Sequence, residues 1–263
     1  MNNHKIAIIG GGNIGSAITN GFVNSKWISA ANITVSDPQY KQLTALRELG
    51  IKLTDNNLEA VSDATVVIIA VKPWLMETVC KQISASLKSP LVISIAAGIT
   101  AQVVADALGK DLPIFRVMPN TAIAIGESMT FVSSFKATSE QENLVNEMFN
   151  LMGTSIIIPE DQMSAATVLA SCGIAFALRY IRASSEGGVE IGFNAKLAHQ
   201  IVAQTVKGAA ELILKNGTHP EEEIDKVCTP KGVTINGLNA MEQDGFTSAV
   251  LKGILSPYKK MNS

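Results

Sequence analysis

The chain has 263 residues, 47% hydrophobic and 17% charged, with a net charge of −2. That is enough for one large domain or two ordinary ones around a sizeable core. There is no basic block and only 5% of residues are aromatic, which argues against an electrostatic footprint for nucleic acid and against a base-stacking platform. Cys80, Cys172 and Cys228 lie far apart in the chain; they form neither a disulfide framework nor a metal-ligand spacing and read as reduced thiols. Met1-Asn2-Asn3-His4-Lys5 runs straight into an apolar strand, leaving no room for a signal peptide. No apolar run reaches the roughly 18 residues that span a bilayer. The expectation is a soluble, cytoplasmic protein with no metal site and no membrane or nucleic-acid partner.

The first strand, Ile6 to Ile9, ends in Gly10-Gly11-Gly12-Asn13-Ile14-Gly15. Gly10, Gly12 and Gly15 match the Gly-x-Gly-x-x-Gly spacing of a dinucleotide-binding turn. The first glycine allows the tight turn, the second lets a pyrophosphate approach the backbone, and the third lets the helix pack closely on the strand. The N–H groups and positive dipole end of the helix that follows then face the phosphates. Ala17, Ile18, Phe22 and Val23 give that helix its apolar face. Residues 33–36 form a second strand ending at Asp37-Pro38. Two readings of Asp37 stand: a carboxylate about 20 residues beyond the glycines holds the ribose hydroxyls of an NAD-type cofactor, or it caps the next helix ahead of Pro38.

Leu43, Leu46 and Leu49 mark a helix that stops at Gly50, and residues 51–53 form a short third strand. After a helix through Leu58 and Val61 comes the β-branched run 65–71, typical of a strand buried on both faces. It ends in Lys72-Pro73, where the ligand crevice of a parallel sheet lies. Strands at 91–95 and 113–117, with helices through Val79 and Ile83 and through Val103 and Leu108, continue the alternation. This pattern predicts a doubly wound parallel sheet. Apolar stretches at 129–132 and 155–158 flank a helix and extend it.

Beyond Pro159-Glu160-Asp161 only helical periodicity remains, which divides the chain into residues 1–160, a Rossmann domain, and 161–263, an all-α domain. One long helix there is rich in small residues (Ala165, Ala166, Ala170, Gly173, Ala177) that permit close helix packing. A second, from Ala195 to about Lys215, is apolar around much of its circumference. It belongs either to a half-exposed bundle completed by another copy of the chain or to the core of a monomer. Near the end, Cys228-Thr229-Pro230-Lys231-Gly232-Val233-Thr234 joins two helical segments. Hydroxyls beside a helix N-terminus suit a small carboxylate; the alternative is an ordinary loop with Thr229 or Thr234 as N-cap.

On these residues the chain resembles the pyrroline-5-carboxylate reductase family. The matching pieces run through almost the whole chain: Gly10 to Gly15, Asp55-Asn56-Asn57, Ala70-Val71-Lys72-Pro73, Ser94 to Thr100, Arg116-Val117-Met118-Pro119-Asn120-Thr121, Gln204 to Ala210, and the Thr229–Thr234 loop. The resemblance implies a Rossmann domain with a helical dimerisation domain, and dimers often assembled into rings. It implies reduction of the cyclic imine 1-pyrroline-5-carboxylate to L-proline by NADPH or NADH. The cofactor would lie over Gly10, Gly11, Gly12, Asn13, Ile14 and Gly15, with Asp37, Asn57, Val71, Lys72 and Pro73 at the adenosine half. Ala97 and Gly98 would lie nearer the nicotinamide, and Asn120 completes the cofactor set. Thr229, Gly232, Val233 and Thr234 would hold the substrate, with Thr234 matching the catalytic threonine that reaches it.

The chain departs from the family pattern at Lys231, at Val233, at Ala122 and across Ala170–Phe176. Asp37 would repel a 2′-phosphate and no arginine adjoins it, whereas Lys41 is a compensating cation, so both cofactors remain open. Two alternatives stand beside this reading. One is another Rossmann imine or hydroxy-acid oxidoreductase, although the lysine base such a dehydrogenase often carries is absent from residues 162–182. The other is a non-catalytic dinucleotide-binding protein.

Overall fold

The computed structural model describes residues 3–261. It contains an eight-stranded sheet in the order β3-β2-β1-β4-β5-β6-β7-β8. The strands are β1 (Ile6–Ile9), β2 (Ile33–Ser36), β3 (Lys52–Thr54), β4 (Val66–Ile69), β5 (Leu91–Ser94), β6 (Ile114–Met118), β7 (Ser128–Phe135) and β8 (Gly153–Ile157). The connecting helices are α1 (Asn13–Asn24), α2 (Thr44–Glu48), α3 (Asn57–Val61), α4 (Met76–Ser84), α5 (Ala101–Leu108) and α6 (Ser139–Asn150).

The two-residue period of the strands separates two cores. Ile6 and Ile8 pair in register with Ile33 and Val35 on one side and with Val66 and Ile68 on the other. With Ile93, Phe115 and Val117 they bury against Ile18 and Phe22 of α1 and Val145, Met148 and Phe149 of α6. The intervening Ala7, Ile9, Val67, Ile69, Val92 and Ile114 face the opposite way, onto Val61 of α3, Val79 and Ile83 of α4, and Val104 and Leu108 of α5. Strands buried on both faces need apolar residues at every position, which is why they read as continuous runs.

The doubly wound parallel sheet expected over the first six strands is present, and the two stretches expected to extend it add an antiparallel step at β7. β1 to β6 are parallel, but β7 runs antiparallel to β6, with β8 parallel to β7. The β6–β7 connection, residues 119–127, holds only a 3₁₀ turn, Thr121–Ile125, and is shorter than the dozen or more residues a parallel crossover requires. The helix expected around Leu43 to Leu49 is a 3₁₀ turn at Tyr40–Gln42 followed by the short α2.

By contacts the chain divides into Met1–Ser171 and Cys172–Ser263, unit 1 and unit 2. The long helix expected after Asp161 is interrupted. An α-helical turn, α7 (Met163–Ala166), leads into a π-helical segment, Thr167–Cys172, and then α8 (Gly173–Glu190). The π segment is pinned from the sheet: Asn120 Nδ2 donates to the Ala170 carbonyl (3.5 Å) and Ser171 Oγ to the Pro119 carbonyl (3.2 Å). No uninterrupted apolar run of that length occurs, but one helical stretch, Glu160–Glu190, is long and apolar enough to cross a membrane by length and composition, with an 18-residue window at mean hydropathy 1.5. Its apolarity comes largely from Ala, Val, Leu and Ile, a composition that equally suits a helix packed against other helices.

Unit 2 contains α8, α9 (Ala195–Asn216), α10 (Pro220–Val227), α11 (Val233–Gln243) and α12 (Phe246–Met261). α8 and α9 approach closely where a Cβ on Gly188 would stand 3.0 Å from the Ala198 Cβ. Leu178 and Val189 on α8, Leu212 and Leu214 on α9, and Val250, Leu251 and Leu255 on α12 are exposed in the single chain. That exposure is the observation behind an association surface.

Cys80, fully buried on α4, lies 3.7 Å from the Met76 sulfur. Burial pushes its thiol up from the ordinary value of 9.0 to about 11. Between these values the unfolded chain gives up a proton that the folded chain keeps. This contribution to stability is therefore complete below pH ~9 and lost as pH rises through about 11. Urea unfolding of wild type and Cys80→Ala across that window should show a steeper decline for wild type; parallel declines would exclude the effect.

Candidate functional site

The strand order reverses between β1 and β4, and open α/β sheets bind ligands at the carboxyl ends of strands beside such a switch. The glycine turn leaves β1 at this point. Gly10 has φ +104°, and a Cβ there would lie 2.5 Å from the Ala70 carbonyl oxygen. Its N–H donates to the Ser36 carbonyl at 2.8 Å, tying the turn to the end of β2. A Cβ on Gly15 would collide with the Gly10 carbonyl oxygen, so α1 sits against the turn only because Gly15 lacks one.

Gly12 differs: a Cβ built there meets nothing within 4 Å. It is the N-cap of α1, no side chain caps the helix, and the first turn carries no acid. Asn13 is exposed and Ile14 is half-buried against the sheet core. Free N–H groups, an unopposed helix dipole and open space above Gly12 fit a pyrophosphate.

Asp37 follows β2 directly. Its Oδ2 accepts from the Gly11 N–H at 2.8 Å and its Oδ1 from the Gln39 N–H at 2.8 Å. It caps no helix; Gln39 precedes the next 3₁₀ turn. Of the two readings of Asp37, the capping one is therefore set aside. Asn57 lies beside it, with Oδ1 accepting from Ser36 Oγ (2.7 Å) and Nδ2 donating to Gln82 Oε1 (2.8 Å). Past β4, Val71 is half-buried, Lys72 exposed, and Pro73 opens a 3₁₀ turn. Past β5, Ala97 and Gly98 are exposed, with Gly98 at φ +76°. Past β6, Asn120 is 9% exposed; its Oδ1 accepts from the Ala122 N–H and its Nδ2 reaches Ala170. Unit 1 thus gathers every expected cofactor residue at the carboxyl ends of its strands, although the Asn120 amide is already engaged in holding backbone.

Sequence reasoning missed the partners that brace these groups, Gln82 on Asn57 and Glu160 on Arg116. The Arg116 side chain is 9% exposed, and its Nη1 donates to Glu160 Oε1 at 3.0 Å, an oxygen that also accepts from the Ala101 N–H at 2.8 Å. A lone arginine in the apolar strand Ile-Phe-Arg-Val-Met was the available signal that an acid had to lie opposite.

In unit 2, Thr229, Pro230, Lys231 and Gly232 form a tight turn. The Gly232 N–H donates to the Thr229 carbonyl at 2.9 Å and Lys231 has φ +62°, as a type II turn with proline second requires. A Cβ on Gly232 would lie 2.7 Å from Thr229 Oγ1. The N-cap of α11 is Gly232, so the alternative that Thr229 or Thr234 caps this helix does not hold. Val233 is 87% exposed and Thr234 half-buried. The first turn of α11 carries no acid, leaving its N–H groups beside the Thr234 hydroxyl.

Together the switch point of the sheet and the open glycine turn define a Rossmann-type, dinucleotide-binding domain. Comparison with known proteins sharpens this. Residues 5–98 match the family model "NADP oxidoreductase coenzyme F420-dependent", and residues 160–263 match "Pyrroline-5-carboxylate reductase dimerisation". Pyrroline-5-carboxylate reductase 2 of Dictyostelium discoideum is 40% identical, over 98% of this chain and 92% of its own length. Pyrroline-5-carboxylate reductase 1 of the same organism is 41% identical, and the chain spans about half of its length (49%). The crystal structure of Plasmodium falciparum pyrroline carboxylate reductase with NADP bound superimposes with a TM-score of 0.90 at 29% identity, covering 99% of this chain and 98% of that one. The chain belongs to the pyrroline-5-carboxylate reductase family.

Proposed function

We propose that this chain reduces 1-pyrroline-5-carboxylate to L-proline, the last step of proline biosynthesis, using NADPH or NADH. The observation that carries the reading is the glycine turn with open space over Gly12 in a chain of this family. When bound, the reduced nicotinamide supplies the hydride. Residues 1–160 bind the dinucleotide: Gly10 to Gly15 seat the pyrophosphate, Asp37, Asn57 and Val71 to Pro73 flank the adenosine, Ala97 and Gly98 line the nicotinamide end, and Asn120 completes the cofactor set. Residues 161–263 dimerise and bind substrate. There Thr229, Gly232 and Val233 orient the carboxylate at the start of α11, and Thr234 touches the substrate through its hydroxyl.

A protonated imine is already electrophilic, so these residues act mainly by positioning. The exposed apolar faces of α8, α9 and α12 support a homodimer, and the dimers assemble further into a ring. The protein works in the cytoplasm, away from membrane and nucleic acid.

The assay is oxidation of NADH and NADPH on addition of the imine; no turnover with either cofactor would overturn the reading. Thr234→Ala removes one hydrogen bond to a charged ligand, and kcat/KM should fall about tenfold or more. An unchanged kinetic profile would remove Thr234 from the site.

A further inference from the structure

We propose that Asp37 makes this chain select a dinucleotide with a free adenosine 2′-hydroxyl, NADH, over one carrying a 2′-phosphate, NADPH. The proposal rests on the dinucleotide reading above and adds to it the direction of selection.

The carboxylate is fixed in place from two sides. Gly11, inside the glycine turn, donates to one oxygen, and Gln39, beyond β2, donates to the other, both at 2.8 Å. Rotating Asp37 away would leave both N–H groups without their acceptor, one of them in the cradle itself. A carboxylate has about four acceptor positions on its two oxygens, so each oxygen still has one to offer. Ribose hydroxyls are donors and can use those positions. A 2′-phosphate is a dianion, brings acceptors only, and meets the carboxylate with like charge.

The neighbours do not offset this charge. Ser36, Asn57 and Gln82 are neutral and bonded to one another. Among the described residues no ion pair reaches Asp37. Lys41 lies with its Nζ 6.0 Å from the ring centre of Tyr40, and Lys52 is paired with Glu59 at 3.1 Å. Arg47 and Lys72 are exposed. An arginine placed to accept a 2′-phosphate, the usual device for NADP, does not adjoin Asp37.

The test is calorimetric titration of the full chain with NADH and with NADPH, without substrate, at low salt. Wild type should bind NADH about tenfold or more tightly than NADPH. Asp37→Asn keeps an acceptor for the Gly11 N–H and removes the charge. It should bring the two affinities close together, chiefly by tightening NADPH, with the melting temperature of the unliganded protein reporting that the fold is kept. Raising the salt concentration on wild type should narrow the ratio in the same direction, because repulsion from a half-exposed carboxylate is still partly screened, and this arm stands even where the variant does not fold. Equal or tighter binding of NADPH by wild type overturns the proposal, as does a ratio indifferent to both the substitution and salt. Failure of wild type to bind either dinucleotide is a separate result that overturns the dinucleotide reading itself.

Discussion

Replacing Gly12 with valine should abolish dinucleotide binding while leaving the melting temperature within a few degrees of wild type. A Cβ at this position meets nothing in the protein, and Gly12 has φ −65° and ψ −169°, a conformation open to any residue. Substitution even restricts the unfolded chain, a small stabilising effect. The new side chain enters the space directly before the free N–H groups of α1. Excluding the pyrophosphate from two such charge-assisted hydrogen bonds, at about 1.5–3 kcal/mol each, weakens binding by at least about a hundredfold.

Gly15→Ala should behave in the opposite order. Its Cβ collides with the Gly10 carbonyl oxygen, a backbone atom, so α1 must move off the turn. Forced overpacking of this kind costs about 1–3 kcal/mol or more, and the loss appears first in thermal unfolding. Calorimetric titration with a dinucleotide, together with melting curves for both variants, separates the two roles. A Gly12→Val protein that binds normally would dismiss the cradle.

Why some of this was legible and some was not follows from the range of the interactions involved. β1 and β2 coincide with their sequence-based limits, and β4 and β5 stand within two residues of theirs, because strands buried on both faces leave continuous β-branched runs between turn residues. The turn at Gly10–Gly15 was legible because steric need writes glycine at fixed spacing. The direction of β7 was not, since alternation looks the same in both directions; the short 119–127 connection held the answer. The π segment was invisible because its cause is non-local. Asn120 and Ser171 tie it to the end of β6 across about fifty residues of chain, and nothing in the Thr167–Cys172 composition announces that. Asp37 was legible as a carboxylate at the right place, but its bond to Gly11 appears only in three dimensions and turns a residue with two readings into a fixed element of the cradle.

Glu160→Ala should destabilise unit 1 as strongly as truncating a buried apolar side chain, although Glu160 itself is partly exposed. Arg116 stands in β6 with its register partners Ser94 and Ser133, and its side chain is 9% exposed against 32% for Glu160. Its Nε has no partner among the described residues, so the bond from Nη1 to Glu160 carries much of the compensation for a buried charge. The same carboxylate oxygen accepts the Ala101 N–H at the start of α5. Removing it leaves an unpaired guanidinium and an unsatisfied helix N–H together.

Breaking a buried pair costs about 3–5 kcal/mol. The partial exposure of Glu160 places the expected loss near the lower end, about 3 kcal/mol, or a fall of roughly 6–12 °C in melting temperature for a unit of this size. Glu160→Gln keeps an acceptor for Ala101 and should lose less. Arg116→Met combined with Glu160→Ala should be markedly more stable than the sum of the single changes, because the apolar side chain no longer leaves a charge behind. Urea unfolding of the four proteins closes the cycle, and additive losses would show that the two side chains do not act as a pair.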